Sequence, residues 1–183
     1  MTKDMGGLDM ARVLKLDPGE QVTVRNCTPE LLDMSVEWQP AGQGRKLPPH
    51  FHPLQDEHFE VHQGELTVKL RDDTTVLRSG DSIEVPRGQP HSIWNSSDTV
   101  TCATWQVRPA LRTEQFFTAL HEMREAGATD KRGGIAVTAA CIVFNAFPDE
   151  LRLVMPEVAR RPAIALLAAI GRLRGYPPVK PTT

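Results

Sequence analysis

Two stretches decide the fold. One is Gly44-Arg45-Lys46-Leu47-Pro48-Pro49-His50-Phe51-His52-Pro53-Leu54-Gln55-Asp56-Glu57, with Gly64 beyond it. The other is Gly80-Asp81-Ser82-Ile83-Glu84-Val85-Pro86-Arg87-Gly88-Gln89-Pro90-His91, with Asn95 beyond it. His50 and His52 stand two apart, and alternate residues of a strand share a face, so two imidazoles converge from one strand. Glu57 follows past Pro53 and can re-enter on the next strand with a carboxylate. His91 comes after a turn rich in Gly and Pro and can arrive from a third strand. Imidazoles and a carboxylate, without thiolate, suit Fe, Mn, Ni, Cu or Zn and do not choose among them. Four such ligands on an octahedral ion leave open positions for water, substrate or dioxygen. One of these histidines alone is more often a surface or packed residue; the joint spacing carries the reading.

The two stretches resemble the two-motif pattern of the cupin superfamily. Gly44, His50, His52, Glu57 and Gly64 match Gly-x5-His-x-His-x4-Glu-x6-Gly. Gly80, Pro86, Gly88, His91 and Asn95 match Gly-x5-Pro-x-Gly-x2-His-x3-Asn. The resemblance implies a mainly β fold, an antiparallel double-stranded β-helix or jelly-roll barrel. It also implies one divalent metal ion held inside by His50, His52, Glu57 and His91, with iron favoured if the protein is an oxygenase. It implies no single reaction, because this superfamily includes dioxygenases, isomerases, cyclases, storage proteins and sensors.

Working outward, alternation places strands at Arg12–Leu16, Gln21–Arg25, Leu31–Trp38, His50–His52, Glu57–Gln63, Glu65–Leu70, Thr74–Leu77 and Thr99–Val107, with Ile83 and Val85 on a further strand before Pro86. If Glu57 faces inward, so do Phe59 and Val61, while His58, Glu60 and His62 face out. His91 shares its face with Ile93. Phe59, Val61 and Ile93 are therefore expected to line the cavity. Leu66, Val68 and Leu70 take a buried face and Thr67 and Lys69 a wet one. Alternation does not set the facing of Thr99–Val107, which is mixed on both faces. Met1–Leu8 reads as a loose start.

At Pro109 the pattern changes, which divides the chain into a barrel domain, 11–108, and a helical extension, 109–175. Thr113 can cap a helix carrying Phe116, Phe117, Leu120 and Met123, which Gly127 ends. Ile135–Phe147 reads as a second helix and Asp149–Met155 as a short third. Pro162 can open a last one, Ala163–Leu173, before an extended tail, Tyr176–Thr183. The extension carries no motif of known chemistry. It covers the barrel or pairs with another subunit, or, on a sharper reading, lids the barrel mouth and shapes an apolar pocket.

A net charge of −2 gives no electrostatic case for nucleic acid or an anionic membrane. The cysteines, Cys27, Cys102 and Cys141, are odd in number and far apart, so packed apolar thiols in a reducing cytoplasm are expected rather than a disulfide framework. The start of the chain has no secretory pattern, and the longest apolar runs are too short to span a bilayer. A homodimer is expected, because barrel edges and apolar helices need cover. The functional expectation is a metal-dependent enzyme, foremost a non-haem oxygenase acting on a small, partly apolar organic molecule. The alternatives are a metal-dependent isomerase or cyclase, or a non-catalytic metal-containing binding protein. Beyond the ligands the sequence offers no convincing acid or base: Glu65 and Asp56 read as turn residues, Glu60 and Glu84 as outward, and Arg45, Arg87 and His121 could reach a cavity mouth but are more often surface residues.

Overall fold

The computed structural model describes residues 12–43 and 46–182, so the loose start and the motif residue Gly44, with Arg45, lie outside the described residues. Among the described residues, short alternating segments make ten strands before the helices: β1 Arg12–Asp17, β2 Glu20–Cys27, β3 Leu32–Trp38, β4 His50–Phe51, β5 Asp56–Gln63, β6 Glu65–Leu70, β7 Asp73–Arg78, β8 Ser82–Val85, β9 His91–Trp94 and β10 Thr101–Arg108. Another strand, β11 Arg152–Leu153, comes from the extension. They form two antiparallel sheets, β1-β2-β3-β10-β5-β8 and β11-β4-β9-β6-β7, the layout of a jelly roll. Val22, Met34, Val36, Phe59, Val61, Leu66 and Val68 are buried between them, where alternation turns every second side chain inward.

Gly64 shows why its motif position takes glycine. Its φ is +75°, and a Cβ there would sit 2.4 Å from the Val100 carbonyl oxygen. Asn95 is a structural tie: its Nδ2 donates to the Trp38, Gln39 and Thr99 carbonyls, and its Oδ1 accepts from Ser97 N and Oγ. Thr67 corrects the simple alternation. It is buried, because its hydroxyl has Ser96 Oγ as a partner at 2.6 Å. Cys27 is exposed rather than packed; Cys141 is buried.

Among the described residues three helices follow: α1 Thr113–Glu125, α2 Val137–Ala146 and α3 Glu157–Leu173. Thr113 does not cap α1. It is the first helical residue, and its Oγ1 accepts from Nε2 of the buried Gln55 at 2.6 Å. Asp149–Met155 is not a helix, because Arg152 and Leu153 pair with Phe51 and His50 and so extend a sheet. Nor does Pro162 open the last helix. It lies inside α3, where the i−4 carbonyl it deprives of a donor belongs to Val158, 88% exposed and open to water. Gly171 lets α3 lie close on α2, since a Cβ there would meet the Thr138 carbonyl at 2.5 Å. Along the tail, Tyr176 and Val179 pack on the core, and Thr182 N donates to Gln115 Oε1. Among the described residues no helix is long and apolar enough to cross a membrane.

Candidate metal centre

His50 and His91 face each other in register across β4 and β9. His52 follows just past β4, its carbonyl accepting from Gly88 N at 2.7 Å, which ties the first motif to the second. Glu57 comes from β5 in the opposite sheet, so the group assembles between the two sheets. One ring nitrogen from each of His50, His52 and His91 lies within 4.8 Å of the others, and all three residues are buried.

The protonation of the three rings follows from their partners. His50 Nδ1 lies 3.0 Å from the Pro48 carbonyl, His91 Nδ1 3.0 Å from the Gln89 carbonyl, and His52 Nδ1 on the Glu150 carbonyl. A carbonyl only accepts, so each Nδ1 carries a proton, and in the neutral ring Nε2 is left as a lone pair. Glu57 Oε1 accepts from Trp105 Nε1 at 2.9 Å. Its Oε2 faces His91 Nε2 at 3.1 Å and His52 Nε2 at 3.3 Å. Glu57 Oε2 and His52 Nε2 are both buried without a hydrogen-bond partner. A carboxylate oxygen held against imidazole lone pairs is repulsive unless a proton or cation lies between them, so the donor set fits a divalent metal.

The electrostatics point the same way. Burial pushes His50 down to about 3, helped by the neighbouring His91 and His52. Burial also lowers His52, against the pull of Glu57. Burial would raise Glu57, but His52 and His91 outweigh it and bring it down to about 2. For His91 burial is overcome by the adjacent Glu57 carboxylate, and the ring is raised, so in the metal-free protein a proton between His91 Nε2 and Glu57 Oε2 is favoured where a metal would otherwise lie. Neutral His50 and His52 beside an ionised Glu57 are in the states that metal ligation requires.

Residues of the extension that the sequence reading missed complete the surroundings. Glu150 is 1% exposed; its backbone holds His52, and its carboxylate takes Arg112 Nε at 3.0 Å and Nη2 at 3.4 Å. With β11 on β4 and Val154 N donating to the Pro49 carbonyl, residues 150–154 brace the strand that carries His50. No spacing relative to the motifs announces Glu150. Trp105 was legible only as a strand residue of unknown facing.

A cavity of about 390 Å³ opens on His50 and His52, walled by Trp105, by α1, α2 and α3, and by Leu151 and Leu153. The helices thus form the wall of the histidine cavity. Phe59, Val61 and Ile93 do not line it. Each step of two residues along a strand advances roughly 7 Å, which carries these side chains away from the ligands. Phe59 is covered by Trp105, stacked at 5.2 Å, and Val61 is wholly buried. Ile93 lines a second cavity of about 260 Å³ with Trp38 and Trp94. Asp17, Glu20 and Lys46 line both cavities. Glu20 is pushed up to about 8 by burial and then by the Asp17 carboxylate, against a hydrogen bond with Trp38, which makes it a titratable group that the sequence reading overlooked.

The neighbouring histidines are engaged elsewhere. His58 Nδ1 lies 2.8 Å from Glu84 Oε1, and His62 Nε2 lies 2.7 Å from Thr104 Oγ1. Arg87 pairs with Asp56, and His121 lies against the Lys15 backbone.

Residues 36–107 match the family model described as the cupin domain. The chain is 39% identical over 54 residues to an oxidoreductase of Arthrobotrys oligospora, a match covering 29% of this chain and 21% of that protein. It is 27% identical over 66 residues to the tetracenomycin polyketide synthase protein TcmJ of Streptomyces glaucescens, covering 36% of this chain and 44% of that protein. The chain thus spans less than half the length of these curated relatives. Among solved structures, an RmlC-like cupin from Shewanella frigidimarina is similar with a TM-score of 0.51 at 18% identity, covering 62% of this chain and 96% of that one, a likeness of fold.

Proposed function

This chain belongs to the cupin superfamily through residues 36–107, and from that premise we propose that it is a metal-dependent oxidoreductase, an oxygenase acting on a small organic molecule. The observation that carries the reading is the convergence of ring nitrogens of the buried His50, His52 and His91 with the unpartnered Glu57 Oε2, where an apolar cavity meets the barrel interior. The name of the Arthrobotrys relative, an oxidoreductase, supports the class.

His50, His52, Glu57 and His91 would hold a divalent metal, which would supply Lewis acidity and, as iron, the means of using dioxygen. The chain's own residues do the rest. The carbonyls of Pro48, Gln89 and Glu150 lock the three rings with Nε2 inward, and Trp105 holds one oxygen of Glu57 so that the other faces the rings. The mostly apolar helical wall would favour an apolar substrate over water beside His50 and His52, and a drier centre would strengthen the charge interactions there.

Glu20 favours a second reading, a metal-dependent isomerase or cyclase. Glu20 lines the same cavity as His50 and His52, and burial with the Asp17 carboxylate pushes it up to about 8, so it is suited to carry a proton near neutrality, as chemistry without net oxidation needs.

The test is elemental analysis of protein purified without added metal, followed by oxygen uptake against a panel of small organic compounds. Uptake that needs both metal and substrate supports the oxygenase. Product without uptake, lost in Glu20→Gln, supports the second reading. Metal and ligand binding without turnover leaves a binding protein and overturns both.

A further inference from the structure

We infer that the helix-walled chamber binds a planar aromatic compound of about two to three fused rings carrying one oxygen substituent. The inference rests on the metal-centre reading only for where that oxygen points. Four aromatic rings lie on the wall. Trp105 meets Phe117 edge-on at 5.2 Å, Phe117 meets Phe116 at 5.4 Å, and Phe116 stacks with Phe144 at 6.1 Å. These rings come from β10, α1 and α2, so the aromatic lining exists only once the extension has packed on the barrel. Flat ring faces and edges at these spacings offer stacked and edge-on contacts to another ring.

The polar side chains of the wall have partners within the protein. Glu150 holds Arg112, Thr113 Oγ1 accepts from Gln55, Lys46 Nζ sits 3.1 Å from the centre of the Trp94 ring, Asp17 Oδ1 accepts from Gly19 N, and Glu20 is hydrogen-bonded with Trp38. Among the wall atoms, His52 Nε2 is buried without a partner. A polyhydroxylated ligand would therefore leave its hydroxyls unpaired in the chamber, whereas a fused-ring ligand needs one polar anchor, at the histidines. Size sets the ring number: a cavity of about 150 Å³ holds one benzene, and this one is about 390 Å³.

The experiment is isothermal titration of the full chain, loaded with Mn(II) and after chelation, with phenol, 2-naphthol, 1-hydroxypyrene and glucose. In both states 2-naphthol is expected to bind about tenfold or more tighter than phenol and also tighter than 1-hydroxypyrene, with no saturable binding of glucose. Ala140→Phe, which adds a ring on the chamber wall, is expected to weaken 2-naphthol about tenfold or more at unchanged metal content. Should that variant fail to fold, the ring-size series on the native chain decides. Glucose binding as tightly as 2-naphthol, no ranking by ring number, or indifference of a folded Ala140→Phe protein to 2-naphthol overturns the inference. Metal content, read separately, keeps the two readings apart: 2-naphthol bound by a chain that never takes up metal refutes the metal centre and leaves the chamber standing.

Discussion

The Nδ1 of His52 donates to the backbone carbonyl of Glu150, a residue 98 positions later in the chain. A barrel ligand is thus oriented by the extension, and the Glu150 segment is in turn held by Arg112 at the start of α1. Replacing Arg112 by Ala leaves a buried carboxylate without its partner and frees this segment. Metal affinity is expected to fall about ten- to a hundredfold, the usual effect of losing such outer support. Arg112→Lys, which keeps the charge but not the fork, should lie between. Metal titration of the apo forms checks it, and an affinity unchanged in Arg112→Ala refutes the role of the pair.

Replacing His50 or His91 by Ala should remove most bound metal, while His58→Ala and His62→Ala should retain it, because those rings are engaged with Glu84 and Thr104. Metal per chain for the four variants decides. Equal loss from all four sinks the assignment of ligands.

The metal-free protein should lose stability on acidification. His50 falls from 6.5 to about 3 on folding and His52 also falls, so below about 6.5 the unfolded chain takes up protons that the folded chain refuses. Glu57, lowered to about 2, adds a contribution that is complete above 4.5 and is lost as pH drops toward 2. His91, raised, works the other way: its contribution is present below 6.5 and is lost as pH rises through its folded value. Urea unfolding at several pH values should show stability falling from pH 6.5 toward 3. Bound metal should be released over the same descent, because protons compete for imidazole. Stability rising over that interval would contradict the neutral, buried state of His50.

Gly64→Ala should cost roughly 1–3 kcal/mol from the left-handed backbone alone, and the contact with the Val100 carbonyl adds to it. Thermal melting checks this, with a fall of several degrees expected. Gly171→Val should instead push α3 off α2 and open the chamber. Its diagnostic sign is weakened 2-naphthol binding.

A homodimer is proposed from the surface left apolar. Val158, Leu166 and Leu173 on α3 are 88, 63 and 87% exposed, and β1, β7 and β8 are sheet edges. Light scattering should give twice the chain mass. A monomer at all working concentrations, unchanged in Leu166→Glu, sets the proposal aside.

The barrel and the grouping of His50, His52, Glu57 and His91 were legible in the sequence because they rest on local rules. Alternation assigns faces along a strand, and glycine marks a turn such as that at Gly64, where a side chain has no room. Alternation failed at Thr67, where a hydroxyl partner made burial possible, and helix rules failed at Arg152 and Leu153, which a neighbouring strand recruited into a sheet. Glu150 and Glu20 could not be read as site residues, Trp105 could be placed on a strand but not on a face, and the helical cover was only one of several readings, without its aromatic lining. Their positions depend on how α1, α2 and α3 pack against a barrel far from them in sequence, and no periodicity along one segment encodes the contact of two. Spacing and the motif resemblance therefore pointed to which side chains come together at the candidate centre. Tertiary packing alone decided how they are oriented and which residues wall the cavity beside them.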